Sequence, residues 1–211
     1  MHRQIILLIF SMISLFSVSG QISVEKLFQT MPADLLWLDQ SQRTELFAYF
    51  KDKKVDSIQN SLNGYCKLID YNEETKHLLL KTSQKGSMEM QVLGAESSPF
   101  IAVIFTTCAP ACQSHINFYS LEWKPFTMDF PTLSASDFIA RGLSEYDLSI
   151  ANRLLTPLFI SYTFTEPGKT ITASCNARQF LADDDWKELK PLLKSEQLSI
   201  KFEDGVWKIK K

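Results

Sequence analysis

The spacing of apolar residues changes from a helical period to a two-residue period near Asn63. Before that point, the pattern predicts a short helix over residues 24–31 and a second helix whose start is marked by Asp39. Asp39 and Gln42 have the spacing of a capping box, in which each side chain accepts a hydrogen bond from the backbone of the other. From residue 65 onward, apolar and polar residues alternate between polar turns, which predicts a meander of antiparallel strands.

The sequence of this meander also indicates its central strand and the hairpin partner of that strand. The run from Phe100 to Phe105 is apolar at every position, which favours a strand covered on both faces, and 114–121 follows as its hairpin partner. A loop centred on Pro110 sets Ile104 opposite Ile116, and this register fixes all the remaining pairs of the hairpin.

The C-terminal part predicts more helix and two further hairpins. An irregular and helical stretch over 123–156 is punctuated by prolines, and residues 157–175 then have the pattern of a hairpin. A short helix begins near Asp184, and the turn Asp204-Gly205 joins the last two strands. The predicted fold class is therefore α+β with a mainly antiparallel sheet: N-terminal helices, a five-stranded meander, then helices and two further hairpins.

The first 20 residues have the layout of a secretory signal peptide. Arg3 precedes an uncharged stretch over 5–16, and small residues follow at 17–20. The stretch is shorter than the roughly 20 residues that span a bilayer, so a retained transmembrane anchor is the weaker alternative. We expect a signal peptide over 1–20 and a single α+β domain over 21–211, with a possible subdivision near 123–156 and no membrane span after cleavage.

Charge and cysteine content narrow the function classes. The chain has 22 basic and 24 acidic side chains and a formal net charge of −2, so it lacks the basic excess typical of proteins that bind nucleic acid. Its four cysteines are an even number in a chain predicted to be exported, which favours disulfides. Of the three possible connectivities, we prefer Cys108 with Cys112 and Cys66 with Cys175.

Several short motifs resemble one family. Met31-Pro32-Ala33-Asp34-Leu35-Leu36, Arg43, Thr106-Thr107-Cys108-Ala109-Pro110, Ser114-His115-Ile116-Asn117-Phe118-Tyr119 and Trp123 are similar to the pattern of exported Bacteroidota proteins known only as a domain of unknown function. The resemblance implies a periplasmic or outer-envelope location in a Gram-negative bacterium. It implies no activity, cofactor or catalytic residue.

The candidate chemistry is sparse. After cleavage only His77 and His115 remain as histidines, and we expect no catalytic residue, metal site or cofactor. His115 follows Cys112 closely, so a metal site or a thiol and imidazole pair is a weaker alternative to oxidised cysteines. Tyr119 and Trp123, with His115, are the candidates for a binding patch beyond the central hairpin.

A modification signal and a functional hypothesis complete the predictions. Asp56-Ser57-Ile58 matches the tripeptide at which Bacteroidota glycosylate exported proteins, so Ser57 is a candidate acceptor. We predict an exported, non-catalytic binding or structural module of the cell envelope, whose partner is an envelope protein or glycan. The alternative is a small periplasmic enzyme that acts on an envelope glycan or peptide, and a concave pocket with convergent polar groups would favour it.

Overall fold

The computed structural model describes residues 22–54, 57–166 and 169–210. The predicted signal peptide and Asp56 lie outside these described residues. In the part described, no helix is both long enough and apolar enough to cross a bilayer. The four α-helices within it are α1 (Val24–Thr30), α2 (Gln40–Lys51), α3 (Glu145–Leu154) and α4 (Asp183–Leu189).

The second helix begins where the sequence predicts. Asp39 Oδ1 accepts a hydrogen bond from the Gln42 N–H at 2.8 Å, and Gln42 Oε1 accepts one from the Asp39 N–H at 2.9 Å. The predicted capping box is therefore confirmed. Because two otherwise unpaired N–H groups of the first turn are satisfied in this way, the start of α2 is fixed.

A seven-stranded antiparallel sheet forms the centre of the molecule. Its strands lie in chain order: β1 (Ile58–Gln59), β2 (Tyr65–Asn72), β3 (His77–Lys81), β4 (Gly86–Leu93), β5 (Phe100–Cys108), β6 (Cys112–Tyr119) and β7 (Pro125–Phe126). The predicted five-stranded meander is confirmed as β2–β6, with Ile104 opposite Ile116 as the loop at Pro110 requires. The edge strands β1 and β7 have two residues each, too few for a period to show in the sequence.

A second antiparallel sheet follows, with the order β11-β10-β9-β8. Its strands are β8 (Ile160–Glu166), β9 (Thr170–Cys175), β10 (Gln197–Glu203) and β11 (Val206–Ile209). Both predicted hairpins are confirmed. Asp204 and Gly205 have φ values of 54° and 80°, the left-handed conformation that a two-residue hairpin turn requires. The fold class is α+β, as predicted.

The central sheet separates two hydrophobic cores. Alternate residues of β5 point to opposite faces: Ile101 and Val103 pack in the core beneath α1 and α2, which we call the helix-side core. Ala102 and Ile104 pack in the core between the two sheets, which we call the inter-sheet core. The inter-sheet core also takes in apolar residues from α3 and from the stretch that precedes it.

The two cores explain the state of the cysteines. Cys108 and Cys112 lie opposite each other at the mouth of the β5–β6 hairpin and form a disulfide, as predicted. The predicted bridge between Cys66 and Cys175 is wrong, and both thiols are free and buried. Cys66 belongs to the helix-side core and Cys175 to the inter-sheet core, so the central sheet stands between their side chains.

Candidate functional site

The aromatic pair predicted to form a binding patch is buried. Tyr119 is 6% exposed and Trp123 is 7% exposed, and their ring centroids are 5.4 Å apart in the helix-side core. The Trp123 indole Nε1 donates to the carbonyl oxygen of Leu27 in α1 at 3.1 Å. The prediction of an exposed patch is therefore wrong, because the turn after β6 folds Trp123 back under α1 and Tyr119 points to the same side of the sheet.

The other two candidate residues are exposed. His115 lies stacked on Phe105 across the β5–β6 pair, with ring centroids 5.2 Å apart. Ser57 directly precedes β1 and is exposed. Its modification stays a prediction.

A different aromatic residue, Trp37, is exposed and lines a groove on the surface. Its side chain is 51% exposed, whereas Leu36 and Leu38 on either side are buried. Trp37 has a φ of 57°, in the left-handed region that bulky residues rarely adopt. This backbone conformation turns the indole outward while both leucines remain in the helix-side core.

The backbone of Trp37 is held from two directions. Its N–H donates to the carbonyl of Ala33 in the 3₁₀ turn at Ala33–Leu35, at 2.7 Å. Its carbonyl accepts hydrogen bonds from the N–H of Ser61 at 3.2 Å and from the Ser61 hydroxyl at 3.3 Å. The indole is therefore anchored by the turn after α1 and by the loop after β1, rather than lying on a free loop.

Trp37 lines a groove of about 560 Å³, which we call the Trp37 groove. Its polar lining consists of Asp34, Asp39, Gln42, Gln59, Asn60, Ser61 and Asn63. On the other side of the indole lies an apolar hollow of about 270 Å³ that includes Leu35, Leu62 and Phe105. Trp37 thus lines both the groove and the apolar hollow.

Asn60 makes the floor of the groove rigid. Its Oδ1 accepts hydrogen bonds from the N–H groups of Leu62 (3.1 Å) and Gly64 (2.9 Å), and its Nδ2 donates to the carbonyl of Thr82 (3.3 Å). A Cβ at Gly64 would lie 3.2 Å from Asn60 Nδ2, so a larger residue there would crowd the amide. The loop is therefore formed before any ligand arrives, which lowers the entropic cost of binding.

The charge of the groove restricts what it can bind. Asp34 and Asp39 contribute carboxylates, and the lining contains no lysine, arginine or histidine. Burial raises the pKa of the neighbouring Tyr119, and the charge of Asp34 adds to that rise. The groove therefore offers hydrogen-bond acceptors and amides beside an aromatic face, and it disfavours anionic ligands.

No sequence signal points to His77, whose ring lies between two carboxylates. Its Nε2 is 2.8 Å from Glu89 Oε1 and its Nδ1 is 3.2 Å from Asp70 Oδ2. Burial lowers the pKa of His77, but the hydrogen bonds and charges of Glu89 and Asp70 outweigh burial and raise it overall.

The Glu89 carboxylate has a structural role between the sheets. β8 is the edge strand of the smaller sheet, and three alternate N–H groups on its free side donate to side chains of the central sheet: Ile160 to Gln113 (2.8 Å), Tyr162 to Ser114 (3.0 Å) and Phe164 to Glu89 (3.3 Å). Buried N–H groups without a partner are costly, so these acceptors stabilise the packing of the two sheets.

The comparisons with known proteins identify a family and a fold. A family model described as a protein of unknown function (DUF3256) matches residues 16–207. A solved domain of an uncharacterized protein from Porphyromonas gingivalis is similar with a TM-score of 0.75 and 23% identity, over 89% of this chain and 97% of that one. None of the curated proteins compared with the chain matches it. The structural similarity therefore supports the fold and leaves function to the site itself.

Proposed function

Because the chain belongs to the DUF3256 family, whose description assigns no activity, we propose its function from its own surface. The proposed function is an exported, non-catalytic binding module of the bacterial cell envelope that takes an uncharged glycan in the Trp37 groove. The observation that carries the proposal is the half-exposed indole of Trp37, anchored in a left-handed conformation beside a groove lined by carboxylate and amide side chains.

The chemistry of a sugar fits the two sides of this site. The C–H face of a sugar ring packs against an aromatic ring, and its hydroxyls exchange hydrogen bonds with carboxylates and amides. The Trp37 Nε1 donates to no other described residue, which leaves it available to a ligand hydroxyl. Because no cation lines the groove, a sulfated or phosphorylated glycan would lack a counter-charge there.

The enzyme alternative has less support. A general acid or base needs a shifted pKa beside a substrate pocket. His77 has a raised pKa, but its partner Glu89 holds β8 in place. Of the two carboxylates in the Trp37 groove, Asp34 and Asp39, the second already caps the start of α2.

Several observations support the envelope location as a proposal. The first 20 residues have the layout of a signal peptide, and the Cys108–Cys112 disulfide is typical of an oxidising compartment. The structurally similar domain comes from Porphyromonas gingivalis, a member of the Bacteroidota. An envelope module of this kind would meet glycans at the cell surface.

The test is affinity electrophoresis through native gels that contain dextran, mannan, xylan or laminarin as uncharged probes, and polygalacturonate as an anionic probe. We expect at least one uncharged polysaccharide to retard the protein and Trp37→Ala to abolish the retardation. The matched control is Tyr146→Ala, which removes an aromatic side chain that is 74% exposed on α3. Retardation by none of the four uncharged probes, or equal loss in both variants, would contradict the proposal.

A further inference from the structure

A second groove lies beside the inter-sheet core, whereas the Trp37 groove lies beside the helix-side core. It has a volume of about 730 Å³. Its apolar lining comes from Leu198 on β10, Ile209 on β11 and Ala140 on the segment before α3. That segment is fixed in place because Ile139 forms an isolated antiparallel bridge with Leu193.

The apolar lining continues the core rather than forming an isolated patch. Leu198 and Ile209 are partly buried members of the inter-sheet core. Ile209 lies opposite Ile200, which is fully buried, and Trp207 on the same face of β11 is 5% exposed. An apolar chain that entered the groove would therefore extend an existing hydrophobic layer, which is the condition for favourable burial.

Three cations line the same groove. Arg141 and Lys194 lie on the two paired segments, and Lys210 follows β11. Within the described ranges, none of these three side chains forms an ion pair or a hydrogen bond. The carboxylate in the lining, Asp137, is already engaged, because it accepts hydrogen bonds from the N–H and the hydroxyl of Ser134 at 2.8 and 3.0 Å.

An apolar floor beside three unpaired cations and one hydrogen-bonded carboxylate makes this an amphiphilic site of net positive charge. We propose that this groove, which we call the basic groove, binds a single-chain fatty carboxylate. The acyl chain lies along Leu198 and Ile209, and the carboxylate meets Arg141, Lys194 and Lys210 at the rim. Charge complementarity selects the anionic head, and the continuity of the floor with the inter-sheet core selects an apolar tail.

The basic groove does not depend on the proposed glycan site. It shares no residue with the Trp37 groove, and the two grooves have opposite charge. Its concave shape favours one inserted chain over contact with a flat bilayer surface. Its volume is within the range of about 300–1,000 Å³ that is typical of small-molecule sites.

The experiment titrates the purified protein with laurate below its micelle-forming concentration, by isothermal calorimetry. We expect one laurate per chain and about tenfold weaker binding for Arg141→Gln and for Lys194→Gln, since each removes a charge-assisted contact. Octanoate is four methylenes shorter and should bind on the order of a hundredfold more weakly. Dodecyltrimethylammonium, with the same tail and the opposite charge, should not bind.

The matched control is Lys208→Gln. Lys208 is a neighbour of Ile209 on β11 but is exposed on the opposite face of the strand, so its substitution changes the net charge equally without changing the groove. Equal weakening by Lys208→Gln and Lys194→Gln would show a diffuse charge effect and overturn the proposal. Equal binding of the cationic detergent, or binding of an acidic peptide with no binding of laurate, would also overturn it.

A measurement on the unsubstituted protein keeps the test independent of variant folding. In methyl-labelled protein, laurate should shift the NMR signals of Leu198 and Ile209, whereas those of Leu46 in the helix-side core should stay unchanged. Shifts confined to other methyl groups, or no shifts at saturating laurate, would place the ligand elsewhere and refute the proposed site.

Discussion

Substitution of Trp37 by alanine and by glycine separates the packing of the indole from the cost of its backbone conformation. Half of the side chain is buried, since it is 51% exposed. Full burial of an aromatic side chain removes about 150–250 Å² from water, so about 100 Å² is buried here. At roughly 25 cal/mol per Å², Trp37→Ala should lower the free energy of unfolding by about 2.5 kcal/mol as an upper estimate.

Trp37→Gly loses the same packing but removes the conformational strain of the backbone at this position. A residue with a Cβ pays roughly 1–2 kcal/mol in the left-handed region, and glycine pays none of this. Part of the gain is offset by about 0.5–1 kcal/mol, because glycine has more freedom to lose on folding. Trp37→Gly should therefore be more stable than Trp37→Ala by roughly 0.5–1 kcal/mol, even though glycine is the smaller side chain.

Urea unfolding measures this difference as a shift in the midpoint urea concentration, while the dependence of the free energy of unfolding on urea concentration stays constant. The control is Ala48→Gly in the exposed interior of α2, where the order reverses and glycine should be less stable by about 1 kcal/mol. If glycine at position 37 were no more stable than alanine while Ala48→Gly behaved as expected, the strained conformation of Trp37 would be refuted. Confirmation would show that the fold bears a cost to present this indole, as strained residues at binding sites do.

Three further predictions concern the rest of the chain. The pKa of His77 is raised in the folded state, so its contribution to stability is complete below its ordinary value of 6.5 and is lost as pH rises through the folded value. Glu89→Gln should therefore flatten the pH dependence of the free energy of unfolding, measured by urea titrations between about pH 5 and pH 9. An unchanged pH dependence in this variant would contradict the prediction. Burial raises the pKa of both free thiols, Cys66 and Cys175, so a maleimide should label neither thiol in the native protein. In urea without reductant it should label both. If neither were labelled in urea, the two cysteines would form a second disulfide. The intact mass from the native host should lack residues 1–19 or 1–20 and carry a glycan that Ser57→Ala removes, and a bare mass would contradict the modification.

Much of the fold follows from local sequence signals. The hairpin around Pro110 is predictable because an apolar run fixes one strand and the short loop fixes the register, and Asp204-Gly205 fixes another hairpin through its turn chemistry. The register of β2 shifts between Leu68 and Asp70, and this bulge turns Tyr71 towards the helix-side core. A bulge changes which residues share a face, and alternation alone does not reveal it.

The site was less predictable for a different reason. Aromatic residues are 12% of the chain, and their exposure depends on what packs over them rather than on their neighbours in sequence. Trp123 is covered by α1, whereas Trp37 is exposed because its own backbone turns outward. Two sequence signals flank Trp37: the family motif over 31–36 and the capping box at Asp39, which predicted the helix start but not the groove beside it. Likewise, Cys66 and Cys175 are unpaired because they lie in two different cores, a separation that becomes visible only in three dimensions.

The junction between the two sheets explains why function is best sought at the rims of this fold. β8 meets the central sheet with its free edge, and such an edge must find hydrogen-bond acceptors or remain unpaired in the interior. The carboxylate of Glu89 is one of those acceptors, and the His77 Nε2 lies 2.8 Å from its Oε1. A buried carboxylate and imidazole pair, which elsewhere would indicate catalysis, here joins two layers. The side chains left free for ligands are then those of the connecting segments: the turn that carries Trp37, and the segment that carries Arg141 across from Lys194.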